Sequence, residues 1–369
     1  MKRLERKNRA IDHVRLLADF SKSKGIQEYT QRALQEFGDE ASRELASFVT
    51  QESRLTGIRA EAMFLAVVAG LGKVGLIKAE DEGEVYYQGP DIQSPDYRIV
   101  LADKSALLVE VKAHRMKNIR SQLKLGDTYV QQLRRYADMM KTELRFAIYW
   151  DGLRTWTLNP LEAFEAGSHG KKWSLDFGRA YGASEMAVLG DRFIATPAPL
   201  RFRVNVDPDK SDRIPPSGGP MNITIARVEL LSRERALSGK AADIAWKLLW
   251  HGNWVDAGQH VEQDGDRMLW IDHLFGPTED EEDWGKGCEM IGSCSGIISN
   301  AYLSGAERTV HTTSKSGVLE PGAMGQFIPD DFMKLELPLA LIHLQSNLKP
   351  AKAAAKGGTR RGRRKVAGK

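Results

Sequence analysis

Two carboxylates and an ammonium group lie close together in a stretch that predicts a β-hairpin. Asp96 precedes one apolar run, Glu110 and Lys112 end the next, and a polar turn centred on Lys104 separates the two runs. With that centre, Asp96 faces Lys112 across the hairpin. Because opposite residues of an antiparallel pair point to the same face, the even-numbered positions place Asp96, Glu110 and Lys112 together.

This group of side chains has the composition that phosphodiester hydrolysis requires. Two carboxylates can bind Mg²⁺ while several waters stay on the ion. The metal lowers the pKa of a bound water, and an ammonium group can orient that water and offset phosphate charge. The alternative is a solvated edge strand in which Asp96 and Lys112 form an ion pair worth only ~0–1 kcal/mol.

Two predicted helices flank the hairpin. The apolar run Ile58–Leu71 is closed by Gly72, a typical C-terminal helix residue, and Glu61 is the only acid in the run. After the hairpin, Asp127-Thr128 offers an N-cap. The apolar stripe of this second helix and the polar pair that shares one of its faces are Val130, Leu133, Ala137 and Met140, and Gln132 and Tyr136.

A second hairpin follows, from Phe146 to Leu158, with a predicted two-residue turn at Asp151-Gly152. The order helix, hairpin, helix, hairpin and the residues at these positions resemble the PD-(D/E)XK nuclease superfamily. The similarity is greatest to the N-terminal nuclease domain of type I restriction motor subunits and to RecB-like nucleases. It rests on Glu61, Pro95-Asp96, Glu110-Val111-Lys112 and the helix Gln132 to Tyr136, and covers roughly residues 50–165.

The resemblance implies an α/β fold, with a restriction-endonuclease-like mixed sheet flanked by helices. It implies metal ligation by Asp96, Glu110 and the carbonyl of Val111, with Mg²⁺ as cofactor and Mn²⁺ as a substitute. Lys112 would assist the attacking water, and Glu61 would support the metal site. Gln132 and Tyr136 would shape substrate binding. A second Pro-Asp pair ends at Asp91, which stays open as the alternative to Asp96.

Charge is distributed unevenly along the chain. Residues 349–369 hold nine basic residues and no acid, and without them 44 basic residues face 49 acidic ones, a balance of −5. This tail, rich in alanine and glycine, is predicted to be disordered. We expect it to bind nucleic-acid phosphates, with Arg361 and Arg364 among the contacts; a solubility tail or a localisation signal is the alternative.

Composition limits the class of protein. A hydrophobic content of 42 % with 8 Trp and 12 Phe supports packed cores. No apolar run reaches the ~18–20 residues of a membrane helix, and the charged N-terminus has no signal-peptide core. Only Cys288 and Cys294 occur, which argues against a disulfide framework. We expect a cytoplasmic protein that does not bind membranes.

The chain divides by composition. We predict an N-terminal helical segment (1–49), the nuclease domain (50–165), a connecting segment with a Pro/Gly-rich linker (166–220), a second α+β domain of unknown role (221–348) and the basic tail (349–369). The elements predicted in the second domain are strands at 221–231 and 334–343, helices at 240–250 and 284–304, and a hairpin at 261–274.

Together these features predict a Mg²⁺-dependent deoxyribonuclease, an endonuclease with a C-terminal recognition or sensor domain. The resemblance alone implies a restriction or phage-defence setting. DNA is the expected partner; a second copy of the chain or a defence-system protein stays open as a further one. The alternatives are a DNA-repair nuclease and a non-catalytic or messenger-gated nucleic-acid-binding protein built on the same core.

Overall fold

Three helices are followed by runs of strands with further helices between them. The computed structural model describes residues 9–80, 85–167, 171–196, 199–276, 289–311, 328–329 and 331–348. Its helices are α1 (Arg9–Lys24), α2 (Gln31–Val49), α3 (Glu52–Leu71), α4 (Asp127–Met139), α5 (Phe177–Gly182), α6 (Gly239–His251) and α7 (Cys294–His311). The strands as far as residue 176 are β1 (Val74–Ala79), β2 (Tyr97–Leu101), β3 (Ala106–His114), β4 (Gln122–Gly126), β5 (Glu143–Trp150), β6 (Thr155–Asn159), β7 (Glu165–Ala166) and β8 (Lys172–Asp176). The later strands are β9 (Phe193–Thr196), β10 (Leu200–Val206), β11 (Ile225–Ser232), β12 (Arg235–Ala236), β13 (Asp256–Asp264), β14 (Arg267–Phe275), β15 (Glu289–Ser293) and β16 (Ala340–Ile342).

The predicted hairpin is part of a mixed five-stranded sheet with the order β1-β2-β3-β5-β6. Strands β1, β2 and β3 are antiparallel, whereas β3 and β5 are parallel. A parallel pair needs a crossover connection, and α4 lies in the segment that joins β3 to β5. The protein is therefore a mixed α/β structure, as the sequence predicts.

The register of the first hairpin differs from the predicted one by two residues. Tyr97 pairs with Val109, and Arg98 faces Leu108, not Glu110. In the observed turn the Asp103 carboxylate accepts a hydrogen bond from the Ser105 backbone N–H at 2.9 Å. Side chains alternate with a period of two, so this displacement leaves every residue on its predicted face.

Both faces of β3 are covered. On the odd-numbered face Ile99 and Val109 belong to the same buried apolar cluster as Phe64 of α3. On the even-numbered face Leu108 is fully buried and packs against Ala137 of α4. Strand β3 is thus a central strand, which excludes the alternative of a solvated edge strand.

The two flanking helices differ slightly from their predicted bounds. Helix α3 begins at Glu52, earlier than predicted, and ends at Leu71, where Gly72 takes a left-handed φ of 70°. Helix α4 begins at Asp127 itself, with Gly126 as the N-cap, so the predicted cap was wrong by one residue. Of the predicted apolar stripe, Met140 is 39 % exposed and the other three residues are buried.

The second hairpin has a longer turn than predicted. Trp150 pairs with Thr155, so the connection spans four residues, not the two of Asp151-Gly152. Residues Asp151–Leu153 form a 3₁₀ turn, and Arg154 takes a left-handed φ of 48°. The Asp151 side chain is also engaged outside the hairpin, where it accepts a hydrogen bond from the Met116 backbone N–H at 2.7 Å.

The remaining strands form further sheets. Strands β12-β11-β10-β14-β13 form one, β15-β9-β16 a second, and β4-β8-β7 a third. The predicted strand at 221–231, helix at 240–250 and hairpin at 261–274 correspond to β11, α6 and β13–β14. The helix predicted at 284–304 is a strand at residues 289–293 and a helix from Cys294 onward, while residues 284–288 lie outside the described residues. Of the strand predicted at 334–343, only Ala340–Ile342 is a strand.

The later elements share a core with the first sheet. Apolar residues of α6, α7 and β15 belong to the same buried cluster as α3 and the odd-numbered face of β3. The Trp156 indole N–H donates to the Ser299 hydroxyl at 2.9 Å, which ties β6 to α7. The segment predicted as a linker, Ile214–Pro220, lies between β10 and β11, two paired strands of one sheet.

None of the helices among the described residues is both long and apolar enough to cross a membrane. Helices α1 and α2 fall in the segment predicted to be helical. The basic tail, with Arg361 and Arg364, lies outside the described residues.

Candidate active site

The structure brings together the three side chains that the hairpin pattern selected. Asp96 immediately precedes β2, and its Oδ2 accepts a hydrogen bond from the Val111 backbone N–H at 2.6 Å. Glu110 and Lys112 lie on β3 on either side of Val111, on the face that Asp96 shares. Glu110 is only 3 % exposed, so its carboxylate is held inside the protein.

A tyrosine that the sequence analysis did not select completes this group. Tyr129, in the first turn of α4, donates its hydroxyl proton to Glu110 Oε1, and Lys112 Nζ donates to the same oxygen. Lys112 Nζ is also 3.1 Å from the Tyr129 hydroxyl oxygen and 5.1 Å from the ring centroid. The spacing offered a signal, because Tyr129 precedes Gln132 by three residues and Tyr136 by seven, one helix face.

Burial and the neighbouring charges perturb the titration of this group. Burial, and then the Glu110 carboxylate, raise the pKa of Asp96 from 3.8 to about 8. Burial alone would lower the pKa of Lys112, but Glu110 and Tyr129 raise it above its ordinary value. Burial, and then Glu110, raise the pKa of Tyr129. Lys112 and Tyr129 therefore stay protonated at neutral pH.

Glu61 reaches the same group from α3. The Tyr97 hydroxyl donates to the Glu61 carbonyl oxygen at 3.2 Å, which holds this turn of α3 against β2. The Glu61 charge contributes to the raised pKa of Asp96, so the two carboxyls are within electrostatic range. The Glu61 charge therefore acts on Asp96, while Lys112 supplies the nearby positive charge.

The donor set fits a hard divalent cation. In the part of the chain that the structure describes, no three His, Cys, Asp or Glu residues are grouped as metal ligands. Asp96 and Glu110 would therefore hold Mg²⁺ as a pair, with waters and substrate oxygens completing its octahedron, which is the usual arrangement for this ion. Burial and the Glu110 charge disfavour the ionised form of Asp96, and a bound cation would favour that form. Ligation by the Val111 carbonyl stays a prediction.

Asp91, the alternative ligand, lies apart from this group. Its side chain is exposed, and its Oδ1 is 3.4 Å from the Tyr87 hydroxyl. Its backbone carbonyl accepts a hydrogen bond from the Arg135 guanidinium at 2.6 Å. The geometry therefore favours Asp96 as the residue that works with Glu110.

Tyr136 belongs to a neighbouring network that sequence reasoning missed. Its hydroxyl donates to Glu80 Oε1 at 2.8 Å, and Arg98 donates to the same oxygen at 2.7 Å. Glu80 directly follows β1, and its backbone N–H donates to the Asp96 carbonyl at 2.8 Å. Gln132 is half-buried, and its backbone carbonyl accepts from the Gln93 N–H at 3.3 Å. The roles of Gln132 and Tyr136 in substrate binding stay predictions.

His114 was also missed, although it lies two residues beyond Lys112 on the same strand face. One ring nitrogen, Nε2, is 2.9 Å from the Ser121 hydroxyl oxygen. Its ring packs edge-on against Trp150, with centroids 5.2 Å apart. Burial lowers the pKa of His114, which favours the neutral imidazole at neutral pH.

Comparisons with known proteins give little guidance. No protein-family model matches the chain, and no curated protein matches it. Among solved structures, the chain is similar to Hjc, a Holliday junction resolvase from Archaeoglobus fulgidus, with 21 % identity and a TM-score of 0.21. The alignment covers 26 % of this chain and 78 % of the resolvase chain. At so low a TM-score, the similarity supports no inference about activity.

Proposed function

We propose that this protein is a metal-dependent nuclease that hydrolyses phosphodiester bonds of DNA, as an endonuclease, with Mg²⁺ as cofactor and Mn²⁺ as a substitute. One observation carries the proposal: Asp96, Glu110 and Lys112 share one end of a sheet face, with Glu61 within electrostatic range and the Asp96 pKa raised. Two neighbouring buried carboxyls, one of them with a raised pKa, suit a site that receives a divalent cation.

Contacts within the protein hold the two carboxylates of this site in place. The Val111 N–H holds one oxygen of Asp96, and Lys112 with Tyr129 holds one oxygen of Glu110, so both carboxylates are fixed before a metal arrives. When bound, Mg²⁺ would polarise the phosphoryl oxygen and lower the pKa of a water. Glu61 adds negative charge that favours the cation.

Lys112 acts in this proposal as a cation and not as a base. Its raised pKa keeps the ammonium group protonated at neutral pH, so it is poorly suited to remove a proton from water. A fixed ammonium group can instead orient the nucleophile and stabilise the charge that develops on the phosphate. This is narrower than the role in water activation that the resemblance implies.

Substrate binding extends from the site along α4. Gln132 is proposed to contact the substrate through its neutral amide. The Tyr136 hydroxyl already bonds Glu80, so this residue would shape the binding surface through that network. Arg361 and Arg364 of the tail are proposed to contact phosphates through charge alone.

The biological setting is proposed from the resemblance. A cytoplasmic restriction or phage-defence nuclease fits it best, with residues 221–348 recognising a substrate, partner or signal, and a second copy of the chain or a defence-system protein as the further partner. DNA repair is the nearest alternative setting. A non-catalytic or messenger-gated protein would use the same surface to bind nucleic acid without cleaving it.

A substrate panel tests the proposal. Purified full-length protein is incubated with circular and linear, single- and double-stranded DNA and with RNA, in Mg²⁺, Mn²⁺ or a chelator. We expect cleavage of closed circular DNA with either metal, none with chelator, and none by Glu110→Gln. DNA binding without cleavage, in both metals and with cell extract added, would support the non-catalytic alternative.

A further inference from the structure

The loop that follows β3 is strongly basic. Residues 115–121, here called the basic loop, join β3 to β4 and begin three residues after Lys112. Arg115, Lys117 and Arg120 are all exposed, and none of them forms an ion pair with any residue in the described ranges. The alternative to a binding role is a solvated loop whose charges contribute only to solubility.

Hydrogen bonds hold the basic loop in one shape. The Met116 N–H donates to Asp151 Oδ1 at 2.7 Å, which ties the start of the loop to the β5–β6 turn. Within the loop, the Ser121 N–H donates to the Asn118 carbonyl at 3.0 Å. The Ser121 hydroxyl is 2.9 Å from His114 Nε2, which ties the end of the loop back to β3. A loop fixed in this way loses little entropy when it binds.

The packing beside the loop is equally close. A Cβ at Gly152 would come within 3.1 Å of the Met116 Cβ, so the β5–β6 turn and the loop lie against each other. The Asp151 carboxylate beside the loop is engaged by the Met116 backbone, and among the described residues it forms no ion pair with a cation of the loop. The three positive charges are therefore exposed on a loop whose two ends are held in place by hydrogen bonds.

The basic loop begins close to the candidate active site. An extended chain advances at most ~3.6 Å per residue, so the Arg115 Cα lies within about 11 Å of the Lys112 Cα. The site itself is rich in acid, and the chain without its tail is net negative, so a polyanion approaching the site meets repulsion. Cations beside the site would offset that repulsion.

We propose that the basic loop binds backbone phosphates of the nucleic acid next to the bond that is cut. This inference rests on the proposed function and adds to it the surface that holds the substrate strand. The contacts would be electrostatic and independent of sequence. Each phosphate neutralised on duplex DNA contributes ~0.9 to the salt slope of binding, so three contacts would contribute about 2 to 3.

Matched triple variants of the full-length protein test the loop. In a Glu110→Gln background, Arg115→Gln/Lys117→Gln/Arg120→Gln is compared with Lys104→Gln/Lys141→Gln/Lys240→Gln. The control removes the same charge from lysines that are exposed and form no ion pair with the described residues. Lys104 and Lys141 lie at the other end of β3 and β5, and Lys240 lies on α6.

Duplex affinity is measured across a salt series. We expect the loop triple to reduce the salt slope by about 2 and to weaken binding at least tenfold at low salt, with a slope change below about 0.5 in the control. The double variant Arg115→Lys/Arg120→Lys should keep the parental slope, because it keeps the charge. Equal slopes for the two triples would overturn the assignment.

Cleavage measurements separate this inference from the proposed function. In the active protein, the loop triple should raise KM at least tenfold while changing the rate at saturating DNA less than threefold. If the parent cleaves and the two triples bind alike, the loop assignment alone fails. If the parent binds DNA through the loop but cleaves nothing, the nuclease proposal fails and the binding surface stands.

Discussion

Lys112 and Tyr129 bind the same oxygen of Glu110, and their own Nζ and hydroxyl oxygen are 3.1 Å apart. The hydroxyl donates to the carboxylate and can accept from the ammonium group, so the three groups form a closed triangle. This triangle fixes the side chain of a buried acid from the helix side, as the Val111 N–H fixes Asp96 from the strand side.

The triangle predicts a role for the tyrosine hydroxyl in the rate of cleavage. Tyr129→Phe removes a hydrogen bond to a charged group, worth about 1.5–3 kcal/mol, without removing the ring. We expect the rate at saturating DNA and Mg²⁺ to fall at least tenfold at a temperature well below the thermal midpoint, which should itself fall by several degrees. Tyr149→Phe, on the opposite sheet face, is the control and should stay within twofold of wild type. Equal rates in the two variants would contradict the role of Tyr129.

Gln132 is predicted to contact substrate and not metal, because a neutral amide on a flanking helix is a poorer Mg²⁺ ligand than the two carboxylates. Gln132→Ala should lower cleavage at limiting DNA several-fold and leave calorimetric Mg²⁺ affinity within twofold of wild type. Loss of metal affinity in this variant would place Gln132 in the metal site.

Metal binding should stabilise the fold. The folded-state pKa of Asp96 is raised to about 8, so without metal the unfolding free energy falls as pH rises from about 4 to about 8 and then levels off. Mg²⁺ at 100 times its Kd would add about 2.7 kcal/mol, a shift of several degrees in thermal midpoint. The shift should be larger at pH 8 than at pH 6, because at pH 6 the ion must displace a proton.

The same scan distinguishes the two candidate aspartates. Asp96→Asn should lose the Mg²⁺ shift and Asp91→Asn should keep it. An Mg²⁺ shift that survives in Asp96→Asn and disappears in Asp91→Asn would show that the second Pro-Asp pair holds the metal.

A buried acid far from this site predicts a separate pH dependence. Burial raises the pKa of Asp191 from 3.8 to about 6, although its carboxylate accepts hydrogen bonds from the Ser295 N–H and hydroxyl and from the Arg192 N–H. The folded state therefore holds this proton more tightly than the unfolded state. The unfolding free energy should fall by roughly 3 kcal/mol between pH 4 and pH 6 on account of this group.

Asp191→Asn isolates that contribution. The variant also loses hydrogen bonds, but that cost does not depend on pH, so it cancels from the slope. In urea unfolding at several pH values, the wild-type stability minus the variant stability should decrease from pH 4 to pH 6 and then stay constant. Parallel curves for the two proteins would contradict the prediction.

The hairpin shows how far local sequence could be interpreted. The face shared by Asp96, Glu110 and Lys112 survives a register displacement of two, because parity alone determines it. In the observed turns the Asp103 carboxylate bonds the Ser105 N–H, and the Asp151 carboxylate bonds the Met116 N–H outside the second hairpin. Both contacts are made by the side chains of turn residues, which apolar patterning does not report.

Contacts between residues that are distant in sequence could not be predicted from local sequence patterns. Tyr129 lies 19 residues from Glu110, and its partner could be found only by knowing how α4 packs on β3. Glu80 meets Tyr136 across 56 residues, and β9 pairs with β15 and β16 from near the other end of the chain. No local pattern encodes these pairings, because they depend on the topology of the whole sheet.

The central claim is that Asp96, Glu110 and Lys112 form a metal-dependent phosphodiesterase site. Its most direct test is the cleavage rate of closed circular DNA in Mg²⁺ and Mn²⁺ by the wild type and by Asp96→Asn, Glu110→Gln, Lys112→Gln and Asp91→Asn, with folding checked by circular dichroism. We predict metal-dependent cleavage by the wild type and Asp91→Asn, and a loss of at least 10³-fold in the other three, as when interactions specific to the transition state are removed. Cleavage at the wild-type rate by Asp96→Asn or Glu110→Gln would contradict the account.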